Sequence, residues 1–276
     1  MSVKSDLLEQ DIADVAARYS NLPSHLPQWL IDIGVKPNAP IISATRVGAA
    51  DKNNKTDVLI SLENSSPIKI SAKLSNADYF GNWYGHVRFL SEFGEETFNR
   101  LTEDVTRWAN WWVHQTNAPF VGVSICFGKR TGNTAKRFLD IFSVEDIYSI
   151  VRGFSTNNYT DNMANCLYIN SNAPQSLEEL LDNLEPITEE AIKKATGEFM
   201  IAYRPINPLK EGTNRGKNVY TQFVPNRRLE EPTVVTSPSE LAELGEFKEV
   251  TPNRLNHNHV LNTLEKEYNI IIPRKQ

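Results

Sequence analysis

Residues 55–76 read KTDVLISLENSSPIKISAKLSN, and the fold is read outward from them. Two β-branched, roughly alternating runs flank a polar Asn64-Ser65-Ser66-Pro67 break, which is the pattern of a β-hairpin. Val58, Ile60 and Leu62 alternate on the first arm and Ile68 and Ile70 on the second, so each arm can bury one face. The chemistry falls at the open end. Asp57 begins the first arm and Lys73 ends the second, and antiparallel pairing brings them together across 16 positions of sequence. A carboxylate and an amine at one end of a sheet suit a divalent metal held against a phosphate, with the attacking water steadied beside it.

Upstream, residues 6–19 carry Leu7, Leu8, Ile12, Val15 and Ala16 as a helical stripe with acids near its start. Residues 29–33 form a short apolar turn, and 41–47 read as the first strand, joined to the hairpin by a Gly-Ala-Ala-Asp-Lys-Asn-Asn loop. Downstream, 89–112 is a long helical pattern interrupted at Gly94, with Trp108, Trp111 and Trp112 expected in packing. Residues 120–127 are a continuous apolar run that fits a buried strand, and 138–142 suggest another. Ser143 to Asp146 has capping-box spacing and opens a helix to about Arg152. Then follow a short strand over 167–169 and acidic helices over 177–184 and 187–195, the second capped at Thr188. A helix over 260–268 and an Ile-Ile-Ile strand come last. The expected class is α/β (α+β), a central mixed sheet flanked by helices.

Composition narrows the function. The 276 residues are 40% apolar and 23% charged, ordinary for a soluble globular protein, and no linker demands a boundary, so one domain over 1–276 is expected. Cys126 and Cys166 read as buried free thiols of a reducing compartment. The first residues hold no apolar signal core and no run reaches the length of a membrane span, so a cytoplasmic location is expected. A net charge of −5 argues against indiscriminate coating of nucleic acid but leaves room for a local basic cleft. The chain has no P-loop, dinucleotide fingerprint, Cys/His metal spacing or Gly-x-Ser-x-Gly elbow.

One basic island stands in this acidic chain. Two strands, 199–203 and 219–224, are expected to form a hairpin over 199–230 around a loop rich in Arg, Lys, Asn and Gly. Arg204, Lys210, Arg215, Lys217, Arg227 and Arg228 face only Glu211 and Glu230. Arg and Lys suit guanine edges, Asn and Gln suit adenine, and glycines allow close approach, so Asn214 and Gln222 join the candidates for the major groove. A solvated loop tip has the same composition.

Asp, strand, turn, and a second strand ending in acid-x-Lys resembles the signature of the PD-(D/E)xK nucleases. Here it stands as Thr56-Asp57 and Ser71-Ala72-Lys73, with Thr56 where the family has proline and Ser71 where it has its second acid. Some type II restriction endonucleases carry Ser, Asn or Gln there. Lys55-Thr56-Asp57, Ser75-Asn76 and Phe80-Gly81-Asn82 are similar to the small restriction enzymes that cut four-base palindromes. So is a basic Gly/Asn loop entering Gln222-Phe223, although Val224 replaces the expected lysine. The resemblance covers roughly 41–226 and leaves 232–276 unexplained.

The resemblance implies a PD-(D/E)xK nuclease-like fold and a type II endonuclease that hydrolyses both strands of duplex DNA at a short site with Mg²⁺. It implies a catalytic core over 40–155 and DNA recognition over 199–230. Asp57 and the Ala72 carbonyl would ligate the metal, Ser71 would hold one of its waters, and Lys73 would orient or help deprotonate the attacking water. Ser75, Asn76, Arg204, Lys210, Asn214, Arg215, Lys217, Gln222, Arg227 and Arg228 would meet DNA. The family often takes one more acid from a helix before the hairpin, a role open to Glu9. His86, the only histidine near the proposed site, reads more readily as a packed side chain. A cognate DNA methyltransferase encoded nearby is expected, and a homodimer stays open. Two alternatives stand beside this: a repair or recombination nuclease of the same fold, and a non-catalytic DNA-binding protein.

Overall fold

The structure is a computed structural model and describes residues 3–47, 55–81, 83–153, 163–211 and 217–275. It is mixed α/β, with a central mixed sheet flanked by helices. Contacts gather in two compact units, each assembled from two stretches: Met1–Phe80 with Val144–Phe199, and Gly81–Ser143 with Met200–Gln276. The sequence carries no linker at these junctions, and the expected catalytic core over 40–155 is shared between the units. Among the described residues, no helix is long and apolar enough to cross a membrane.

The first stretch of the first unit holds helices α1 (Val3–Ala17) and α2 (Gln28–Asp32), then strands β1 (Ile41–Arg46), β2 (Val58–Leu62) and β3 (Ile68–Lys73). Strand β4 (Tyr79–Gly81) lies where the chain passes into the second unit. The loop at 48–54 is outside the described residues. β2 and β3 form the expected hairpin, with Val58 opposite Ile70 and Ile60 opposite Ile68. Period-two alternation sends Val58, Ile60, Leu62, Ile68, Ile70 and Ala72 into one apolar cluster with Leu8, Ile12, Ala13 and Ala16 of α1. By the same alternation Lys69, Ser71 and Lys73 take the other face of β3.

In the second unit, α3 (His86–Trp112) is broken at Gly94, whose φ of 77° is open to glycine and costly for other residues. Strands β5 (Val123–Gly128) and β6 (Ala135–Arg137) follow, then a 3₁₀ turn at Phe138–Asp140. The expected strand over 138–142 is therefore a tight turn. Helical spacing stacks the rings of Phe138 and Phe142 at 4.4 Å, and Phe89, Phe93 and Phe127 close around Phe142. Aromatic packing decided the backbone here, and it overrode the apolar run.

The chain then returns to the first unit with α4 (Val144–Arg152), β7 (Cys166–Ile169), α5 (Leu177–Asp182), β8 (Leu184–Pro186) and α6 (Glu189–Thr196). Ser176 and Thr188 cap α5 and α6 by accepting from the Glu179 and Ala191 amides at 3.1 Å. β7 pairs parallel to β3 and β8 antiparallel to β7, which completes a five-stranded mixed sheet in the order β1-β2-β3-β7-β8. Residues 154–162, ahead of β7, are outside the described residues.

The last stretch adds to the second unit β9 (Met200–Pro205), α7 (Pro208–Glu211), β10 (Thr221–Pro225), β11 (Thr233–Val234), α8 (Pro238–Leu244), β12 (Gly245–Glu249), α9 (His257–Tyr268) and β13 (Ile270–Ile271). β9 pairs antiparallel with β5 and β6, whereas β10 pairs antiparallel with β12. The expected hairpin over 199–230 is thus absent: its two strands take different partners, and β10 finds its own in the tail that the resemblance does not cover.

Candidate active site

The open end of the β2–β3 hairpin gathers Asp57, Ser71, Ala72 and Lys73. The Asp57 amide donates to the Ile70 carbonyl at 2.8 Å, which fixes Asp57 beside the last residues of β3. Its Oδ2 accepts from the Ala72 amide at 2.8 Å, from Lys73 Nζ at 2.9 Å and from Ser71 Oγ at 3.3 Å. Lys73 Nζ also donates to the Ala72 carbonyl at 2.9 Å. The ammonium therefore sits between the two oxygens expected to hold a metal. Asp57 and Lys73 retain side-chain exposures of 17% and 22%, so the pair opens to solvent.

Ser71 is fully buried and turns its hydroxyl to Asp57, on the side of the sheet away from the apolar cluster. It holds the carboxylate in place as a donor. A neutral hydroxyl there adds no charge that would need compensation.

A second acid comes from α1. Glu9 is 2% exposed, yet it lies close enough to Asp57 and Lys73 to feel both charges. Burial pushes its carboxyl above the usual range, the hydrogen bond from Arg46 pulls it back, and the nearby negative charge of Asp57 raises it again. Arg46 Nε donates to Glu9 Oε2 at 2.8 Å, and its Nη2 donates to Asp6 Oδ1. Arg46 carried no signal in the sequence. It is found only through the sheet, where it stands opposite Val58 and so next to Asp57. Surface ion pairs are worth about 0–1 kcal/mol, whereas stripping one partner from a buried pair costs roughly 3–5 kcal/mol. With Glu9 buried but Arg46 28% exposed, the cost lies between the two figures.

Among the described residues no three His, Cys, Asp or Glu side chains converge on one point. The donors that do converge, a carboxylate and a backbone carbonyl already sharing one cation, are hard oxygens of the kind Mg²⁺ takes. The donor set fits Mg²⁺, completed by water.

The expected DNA contacts are divided. Ser75 and Asn76 form the exposed turn after β3, in the first unit, and the Ser75 hydroxyl meets that of Ser171. Arg204, Lys210, Lys217, Gln222, Arg227 and Arg228 belong to the second unit, and Asn214 and Arg215 lie outside the described residues. Arg204 and Lys217 both lie over the Trp83 ring, 4.0 and 2.7 Å from its centroid, and Lys217 also faces Glu211 at 3.9 Å. Gln222 stands in β10 opposite Lys248 and is half-buried. Lys210, Arg227 and Arg228 are exposed.

His86 belongs to the second unit and is a packed residue. Its Nδ1 accepts from the Asn253 amide at 3.1 Å, so Nε2 carries the proton given to the Val219 carbonyl at 2.8 Å. Burial holds its pKa below the ordinary histidine value. Cys126 and Cys166 are free and buried.

No family model, curated protein or solved structure matches the chain.

Proposed function

We propose that the chain is a type II site-specific deoxyribonuclease of the PD-(D/E)xK kind, hydrolysing duplex DNA at a short sequence with Mg²⁺. The observation that carries this reading is the meeting of Asp57, the Ala72 carbonyl and Lys73 within 2.9 Å at the end of a hairpin whose second strand is followed by a parallel neighbour. Asp57 and the Ala72 carbonyl would hold Mg²⁺, which supplies charge neutralisation at the scissile phosphate. Lys73, as an ammonium, orients the attacking water, and its positive charge opposes the charge that grows on the phosphoryl oxygens. The water oxygen bonds to phosphorus as the bond to the leaving oxygen breaks; the water's proton passes to bulk solvent, and the leaving oxygen takes one from solvent. Ser71 and the Ala72 amide keep Asp57 aimed throughout.

Incubation of mixed-sequence plasmid with the protein and Mg²⁺ tests the reading. Discrete fragments are expected. A smear or random nicks would favour a repair or recombination nuclease, and intact plasmid a non-catalytic DNA-binding protein, a reading favoured by Ser71 in place of the second acid. Finding a DNA methyltransferase gene beside this one would support the proposal, as a functional partner.

Two further results are expected. Ser71→Leu should be inactive, because the bulky side chain overfills a fully buried site and displaces Asp57. Ser71→Ala should keep activity and lose about 1 kcal/mol of stability, the net worth of one hydrogen bond. Full cleavage by Ser71→Leu would show that position 71 has no part in the centre. In DNA binding, Gln222→Ala should cost roughly 1–3 kcal/mol of discrimination between cognate and random duplexes. Arg227→Ala and Arg228→Ala should weaken all sequences alike and each flatten the salt slope by about one unit. An unchanged cognate-to-random ratio in Gln222→Ala would move the reading head elsewhere, with the turn at 129–133 next in line.

A further inference from the structure

We propose that Arg46 is a positioning residue: in the role that the resemblance leaves open to Glu9, the guanidinium holds that carboxylate in orientation beside the Asp57–Lys73 end of the sheet. The inference rests on the nuclease reading above. Three features carry it. Glu9 is almost completely buried, whereas Arg46 keeps 28% of its side-chain exposure, so the arginine reaches inward to the acid. The guanidinium is forked, with Nε on Glu9 and Nη2 on Asp6, two acids three positions apart on one face of α1. A planar, two-pronged donor fixes orientation as a single ammonium cannot. And Arg46 stands opposite Val58, one residue from Asp57, so the clamp is built on the same strands as the site. Charged groups near Glu9 come from each neighbouring strand: Arg46 at the end of β1, Asp57 ahead of β2, and Lys73 at the end of β3.

An arginine with this role acts through Glu9, and its loss should be invisible once Glu9 is neutral. The experiment uses the full chain with Arg46→Gln, Glu9→Gln, the double variant and Arg46→Lys. Two quantities are read: Mn²⁺ binding to the protein alone by titration calorimetry, and cleavage of mixed-sequence plasmid with Mg²⁺. Arg46→Gln should weaken both by roughly ten- to hundredfold, the usual effect of losing a partner that orients a metal ligand. The double variant should be no worse than Glu9→Gln, because the two changes share one route. Arg46→Lys should recover part of the loss. Losses that multiply in the double variant, or Mn²⁺ binding that is unchanged or tighter in Arg46→Gln, would overturn the proposal; tighter binding would mark Arg46 as a rival for the carboxylate.

Should Arg46→Gln fail to fold in a thermal melt, Asp6→Asn removes only the more exposed anchor of the fork. It should give a smaller loss of the same sign, again absent in a Glu9→Gln background, and equal Mn²⁺ affinity in the two proteins would refute the clamp. A dead Asp57→Ala beside a fully competent Arg46→Gln would remove this inference alone. A competent Asp57→Ala would remove the nuclease reading itself.

Discussion

Asp57→Ala is expected to abolish DNA cleavage and to leave sequence-specific binding in place. The change deletes one of two oxygens that converge on the cation position, together with the acceptor of three hydrogen bonds. Charge stabilisation by a divalent ion is worth several kcal/mol, so a loss of roughly a thousandfold or more in rate should follow. Binding should hold or tighten, because a negative charge is removed from beside the phosphate. Plasmid cleavage with Mg²⁺ and gel-shift titration without it measure the two effects separately. Near-normal cleavage would remove Asp57 from the centre.

Lys73→Ala should separate metal affinity from rate. The amine touches both Asp57 and the Ala72 carbonyl, so its removal frees two oxygen donors and should leave Mn²⁺ binding equal or stronger. Cleavage should nevertheless fall by about 10²–10³-fold, the usual cost of deleting one preorganised charge at a reacting centre. The thermal midpoint should move little, since Lys73 ends its strand and leaves the apolar cluster intact. Weaker Mn²⁺ binding together with unchanged cleavage at saturating metal would contradict the assignment.

Period-two alternation made the hairpin legible, since Val58, Ile60, Ile68 and Ile70 each specify the same buried face. Asp57 and Lys73 followed from pairing geometry alone. Thr188 announced its helix because a cap is a local device, complete within four residues. What sequence could not deliver was non-local choice. Thr221–Pro225 looked like the partner of the strand before it, and only the packing of the tail shows that Gly245–Glu249 takes that place. Arg46 is an ordinary strand-end arginine until α1 is laid across the sheet. Phe138 and Phe142 offered an apolar run, and their ring stacking bent it into a turn.

The parallel pairing of β3 with β7 also sets a timetable for synthesis. The Lys69 amide reaches the Asn165 side chain across 96 positions, and every residue between them must be made before that edge is covered. At about 5–20 residues per second, a newly made hairpin waits on the order of 5–20 seconds with β3 unpaired on one side. An apolar edge left bare for that time invites pairing with another chain. β3 meets the interval with Lys69 near its start and Lys73 at its end, charges that resist association until β7 arrives. The lysine assigned to phosphate chemistry in the finished protein would thus first have served as a guard on the nascent one.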